Sequence, residues 1–297
     1  MIEFKYEFIA TADSDNGRSD SGRYAILTKG RKSFLFDVEE RGIVATFLYS
    51  IRACCFDCKE KILFLLEFNG TLHIYDLIDK REVFEKRIGA RGFVYEYGIA
   101  VRGNDIYYIG YKNANAVRFC YHLDADTSER ELMPRTGSVL GTHNDAIICE
   151  HILEGKYRLR TRFTLLHSDG SESTWCEYDK SPFCYHGGVL YSIFDFERGN
   201  VLNIDYLDGR ETRRILLPYK AKGFRLLGKT FDTDGRYFAF VSKDRSPSGN
   251  AYVICYDMQT KTVIYQDELE YLCSVAVLKT GFLYGGFTKS RFVGFEE

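Results

Sequence analysis

The sequence predicts an all-β fold, a seven-bladed β-propeller, on three observations. Runs of alternating apolar and polar residues recur along the 297 positions. No segment sustains the helical period of about 3.6 residues. An acidic turn closes every third strand, at Asp37, Asp76, Asp124, Asp169, Asp208, Asp257 and Glu296, at intervals of 39, 48, 45, 39, 49 and 39 residues. The mean, about 43, is the period of a four-stranded blade, and seven such blades account for the chain as a single domain over 1–297. Six or eight blades stay open on spacing alone. Two stacked β-sandwiches would not produce so regular a period.

The elements follow in order within each repeat. The clearest copy runs Ile-Leu-Phe-Leu-Leu-Glu-Phe from Ile62, then Asn69-Gly70, then Thr-Leu-His-Ile-Tyr-Asp ending at Asp76, then Glu82-Val-Phe. Asn-Gly between alternating runs marks a tight hairpin. A first, innermost strand precedes each copy, at 53–56, 94–101, 138–141, 182–185, 226–231 and 273–278. The first blade offers only a weak counterpart at 9–12. The last copy supplies strands at 281–287 and 290–295 and then stops. Residues 2–8 otherwise lack a partner, so the N-terminal strand is expected to close the last blade and remove its exposed edge.

Three strand ends read aromatic-Asp: Phe36-Asp37, Tyr75-Asp76 and Tyr256-Asp257. This resembles the degenerate Trp-Asp ending of WD-repeat-like β-propellers, with Phe or Tyr in place of Trp. No blade carries a true Trp-Asp, and no Gly-His pair opens the blades, so the similarity is one of architecture. It implies a binding platform; a fold alone does not set a function.

Composition excludes several classes. A chain that is 45% hydrophobic with 26 Gly and 4 Pro is neither disordered nor collagenous. Its net charge of −2 gives no general attraction to nucleic acid or membranes. The N-terminus lacks a secretory apolar stretch, and the longest apolar runs, 62–66 and 272–278, are too short to insert in a bilayer. Nine scattered Cys read as reduced thiols, which places the protein in the cytoplasm.

The remaining motifs favour structural readings. Residues 223–230 satisfy G-x-x-x-x-G-K-[ST], but no helix follows to hold a phosphate. Cys55 and Cys58 have C-x-x-C spacing without a second ligand pair, unless His143 reaches across from another blade. His167 to Trp175 only partly fits the Asp-box of sialidases, and residues 13–17 only partly fit a calcium loop. The sequence therefore names no cofactor and no metal ligand. His143, Asp145 and His186 fall at inner-strand ends and are the candidates for a central-channel site.

Strand connectivity divides the loops between two faces. Loops joining the second and third strands, with the connections between blades, carry a formal +9; the opposite loops carry −14. The basic face has as candidates Lys29, Arg31, Lys32, Lys112, Lys156, Arg198, Lys243, Arg245, Lys289 and Arg291, with Tyr219 and Phe224 among its aromatic anchors beside Tyr49 and Tyr271. The reading that follows is a non-enzymatic scaffold, a monomer within a complex, presenting this face to an acidic protein or peptide. The competing class is a small-ligand or metal-dependent hydrolase site in the central channel. Nucleic acid is disfavoured, because strands with clustered aromatic and basic residues are missing.

Overall fold

A computed structural model describes residues 1–4, 17–112, 115–132, 137–154, 159–179, 183–194, 201–216, 224–244, 251–269, 274–285 and 290–295. Its described residues contain no helix; they form seven small antiparallel sheets in a ring, a seven-bladed β-propeller. The second blade shows the plan. Ile51–Phe56 lies innermost, followed outward by Ile62–Glu67, Thr71–Asp76 and Arg81–Arg87. Its middle strands are apolar on both faces because each face packs against a neighbouring blade, whereas the outer strand faces water and reads as charged.

Seven apolar clusters fill the seven seams between blades. Ala25, Leu27 and Phe36 of the first blade meet Ala276, Leu278 and Phe292 of the last, so the ring closes through a core like any other seam. Each fully buried Leu or Phe contributes about 1.5–3 kcal/mol. The last blade, Ser274–Leu278, Gly281–Gly285 and Ser290–Gly294, takes Ile2–Phe4 as its outer strand, in the register Ile2↔Phe292 and Phe4↔Ser290. The expected closing strand is therefore present.

The first blade differs from the expectation at its inner edge. Residues 9–12 lie outside the described residues. Beside Tyr24–Lys29 stands a short extended stretch, in which Arg18 bridges Ala25 and the Gly17 carbonyl accepts from Ile26 N at 2.7 Å.

One backbone hydrogen bond repeats around the ring. The residue after the third strand donates to the residue before the second: Val38 to Arg23, Leu77 to Lys61, Leu123 to Asn104, Leu207 to Gly188, Met258 to Arg236 and Phe295 to Thr280, all within 2.8–3.0 Å. This bond fixes the repeat register and corrects the sequence reading. Asp37, Asp76 and Asp257 occupy equivalent positions, but their counterparts in the third and fifth blades are His122 and Tyr206 rather than Asp124 and Asp208, and in the seventh Gly294 rather than Glu296, which lies outside the described residues. The three Asp at the true position share one job. Each Oδ1 accepts two backbone N–H groups of the next turn: Asp37 from Glu39 and Glu40, Asp76 from Ile78 and Asp79, Asp257 from Gln259 and Thr260. An Asp that satisfies two turn donors explains the acidic strand ending by local chemistry.

The G-x-x-x-x-G-K-[ST] match falls mainly in the single strand Phe224–Thr233, which passes by a tight turn into Tyr237–Asp244. It is an inner strand, as expected.

Candidate functional site

Strands alternate in direction, so each blade presents two ends. One end of the ring, the turn face, carries the connections from first to second and third to fourth strands. The other, the crossover face, carries the second-to-third loops and the passages between blades.

On the turn-face side of the channel, Asp232 is a buried hub. Its carboxylate accepts from Thr233 N at 2.8 Å and Val277 N at 2.7 Å, forms an ion pair with Arg18 Nε at 2.9 Å, and pairs with His186 Nε2. The partners come from the first, fifth and seventh blades and its own sixth. Burial opposes the charge, yet Arg18 and His186 outweigh it and hold the carboxyl at about 2. Cys184 stands close enough to His186 and Asp232 to suggest a metal centre. The donors argue otherwise: two backbone N–H groups, a guanidinium and an imidazole occupy both carboxylate oxygens. The hub ties blades together.

Of the three channel candidates, Asp145 and His186 line one cavity, and His143 is not among its lining residues. His186 joins the hub. The His143 ring lies over Gly188, where an added Cβ would come within 2.4 Å of it. His143 therefore points along the seam between the fourth and fifth blades. Asp145 is exposed, at positive φ of 62°, and its backbone carbonyl accepts from Arg102. A cavity of about 640 Å³ opens at this end, lined among others by Arg18, Cys55, Arg102, Asp145, Tyr185 and His186. Neither Cys55 nor Cys58 belongs to any group of metal-competent side chains among the described residues.

Cations outside the loops answer part of the acidic turns that the loop sums counted: Arg23 pairs with Asp37 at 2.8 Å and Lys86 with Asp126. Lys279 with Glu39 at 2.6 Å and Arg210 with Asp208 at 2.8 Å pair charges that both stood in the sum already. The exposed pairs among these add little stability, but they cancel the outward field.

On the crossover face Lys29, Arg31, Lys32 and Lys112 are exposed, with the Lys112 ammonium 5.7 Å from the Phe93 ring centre. Arg291 is not available in the same way: its Nη1 lies 2.8 Å from Asp267 Oδ2, on the sixth blade. Tyr49 is also engaged, stacked on His73 at 3.7 Å and donating to Glu82. Lys243 and Phe224 sit at the crossover-face ends of their strands. Lys156, Arg198, Arg245, Lys289, Tyr219 and Tyr271 lie outside the described residues.

The structure adds residues that the sequence reading did not name. Leu48 (76% exposed), Phe68, Leu132 (71%) and Leu216 are large apolar side chains in water, all at crossover-face ends. Arg52 lies over the Phe68 ring at 5.6 Å, and Arg91 is exposed one seam further on. Backbone contacts make this a continuous strip over the first three blades. The Tyr49 carbonyl takes a bond from Ser33, the Phe68 carbonyl one from Tyr95 N, and the Gly70 carbonyl bonds from Ile88 N and Gly89 N. The available signal was Leu48 and Phe68 sitting one residue past their strands, where side-chain alternation no longer buries them.

The fold and this surface define a β-propeller with a mixed basic and apolar crossover face. Neither a comparison with protein-family models nor one with curated proteins returns a match.

Proposed function

We propose that the chain is a non-enzymatic binding propeller whose crossover face receives an acidic protein segment carrying apolar side chains. The observation behind this reading is the coincidence, on one strip, of exposed Arg31, Lys32, Arg52, Arg91 and Lys112 with exposed Leu48 and Phe68. Apolar side chains supply desolvated anchors, and the cations raise the local concentration of an anionic partner. The aromatic-Asp strand ends support kinship with WD-repeat-like platforms, and the scattered thiols support a reducing, cytoplasmic setting within a complex.

A fluorescent peptide of Glu residues interrupted by Leu and Phe is the probe. It should bind the native chain with affinity that falls as salt rises, while a Lys-rich counterpart does not bind. A variant combining Arg31→Glu, Lys32→Glu, Arg52→Glu and Lys112→Glu should lose binding at unchanged melting temperature. Equal binding by native protein and variant would overturn the proposal. The second reading, a small ligand in the channel mouth, has the cavity in its favour; its polar walls are occupied largely by one another.

A further inference from the structure

Three groups of side chains among the described residues bring together atoms able to hold a metal. Asp232 with Cys184 and His186 is saturated by protein donors, as described above. His73 groups with Glu82 and Glu85, but its ring is buried beneath Tyr49, with Glu67 at 3.0 Å from Nε2 and Glu82 at 3.2 Å from Nδ1. The third group is open. Asp105, Cys120 and His122 lie at the turn-face edge of the seam between the third and fourth blades, and all three are partly exposed.

Strand register explains why they meet. His122 is directly opposite Asp105, and Cys120 is opposite Tyr107, on adjacent strands Asn115–His122 and Asp105–Lys112. Residues two apart on a strand share a face, so Asp105, Tyr107, Cys120 and His122 form a two-by-two patch. Glu129 joins it from the fourth strand, opposite Cys120.

The distances discriminate between two chemistries. His122 Nδ1 lies 2.7 Å from Asp105 Oδ1 and 4.0 Å from Cys120 Sγ. A nucleophilic Cys-His-Asp relay requires the thiol and the carboxylate at different ring nitrogens. Here both address the same one. Convergence of oxygen, sulfur and nitrogen on one point is the arrangement of a chelate. Tetrahedral zinc places such ligand atoms roughly 3.3–3.6 Å apart. The observed pairs bracket that span, and shifts of about half an ångström bring them to it. The outer contacts also fit. His122 Nε2 faces Glu129 Oε1 at 3.7 Å, which would fix the tautomer with its hydrogen on Nε2. The Tyr107 phenol, opposite Cys120, accepts from Arg102.

We propose that Asp105 Oδ1, Cys120 Sγ and His122 Nδ1 bind one Zn²⁺, leaving a fourth position for water. Binding displaces the thiol proton to solvent and leaves the imidazole neutral; no electron is transferred. The mixed thiolate, imidazole and carboxylate set suits a borderline-soft divalent ion rather than Ca²⁺ or Mg²⁺. The site lies on the opposite end of the ring from the docking strip and is independent of it.

Co²⁺ is the spectroscopic probe. The native chain should bind one equivalent, with a thiolate-to-cobalt band in the near ultraviolet and d–d bands in the visible. Cys120→Ser should abolish the near-ultraviolet band, His122→Gln should weaken binding at least tenfold, and Cys58→Ser should change neither. Alkylation of the native protein gives a readout free of mutation: Zn²⁺ should shield Cys120 from iodoacetamide while Cys58 continues to react. A cobalt band that survives Cys120→Ser, or Cys120 labelling unaffected by zinc, would overturn the proposal.

Discussion

Arg18 Nε stands 2.9 Å from Asp232 Oδ2, with both side chains almost removed from water. The first belongs to the first blade and the second to the sixth, so the ion pair spans the seventh across the channel. Removing one partner leaves the other as an uncompensated buried charge, which costs about 3–5 kcal/mol. Asp232→Asn should show this loss in urea unfolding followed by tryptophan fluorescence or circular dichroism. A change below about 1 kcal/mol would mean that water reaches Arg18.

The same carboxyl predicts an acid limb of stability. Its folded value, about 2, lies below its ordinary value of 3.8. A depressed carboxyl stabilises the folded state above its unfolded value, and that stabilisation is lost as pH falls from about 4 towards 2. The shift corresponds to about 2 kcal/mol. Unfolding free energies measured at pH 4.5 and at pH 2 should therefore differ more in the native protein than in Asp232→Asn, by about that amount. Parallel pH profiles would contradict the assignment.

Gly98 tests how closely the inner strands approach. It lies in Val94–Arg102 at a φ of 103°, and a Cβ there would fall 1.8 Å from the Val139 carbonyl oxygen of the fourth blade. Backbone cannot move aside as a flexible side chain can, so Gly98→Ala should cost more than about 4 kcal/mol. Gly103 also has positive φ, but no atom lies within 4 Å of its added Cβ. Gly103→Ala should cost only about 1–2 kcal/mol. Equal melting temperatures for the two variants would refute the close approach.

The repeat register makes a paired prediction. Asp37 caps two turn N–H groups and holds Arg23 through both Nε and Nη2, at 3.0 and 2.8 Å. Asp124 is exposed and accepts from Asn104 Nδ2 at 2.6 Å. Asp37→Ala should lose about 2–3 kcal/mol, and Asp124→Ala less than about 0.5 kcal/mol. Similar losses by chemical denaturation would restore Asp124 to the repeat position.

Much of the ring was legible in advance, residue by residue. Asn69-Gly70 marked the hairpin that forms, with Gly70 at a φ of 82°, and residues 2–8 announced the strand that closes the last blade. The candidate sites were harder to read. The three acidic turns placed at Asp124, Asp208 and Glu296 missed the true position by two residues, because an acidic residue within a turn looks alike in sequence whether or not it caps that turn. His143 and His186 both fall at inner-strand ends, yet one turns along a seam and the other into the channel. The Cys120-Tyr-His122 pair was visible as two residues sharing a strand face, but its value depended on Asp105 lying opposite.

Strand periodicity and turn chemistry are local, so the order of residues is enough to set the blade period, the hairpins and the closing strand. Contacts between blades are different. Arg18 meets Asp232, Arg291 meets Asp267, and Cys120 and His122 meet Asp105 only because ring closure and cross-strand register carry them together. Charges counted loop by loop cannot anticipate which cation will neutralise which carboxylate across a seam. The tertiary structure therefore paired part of the acidic face, engaged Arg291 and Tyr49 with neighbouring side chains, and left Leu48 and Phe68 exposed at the crossover face.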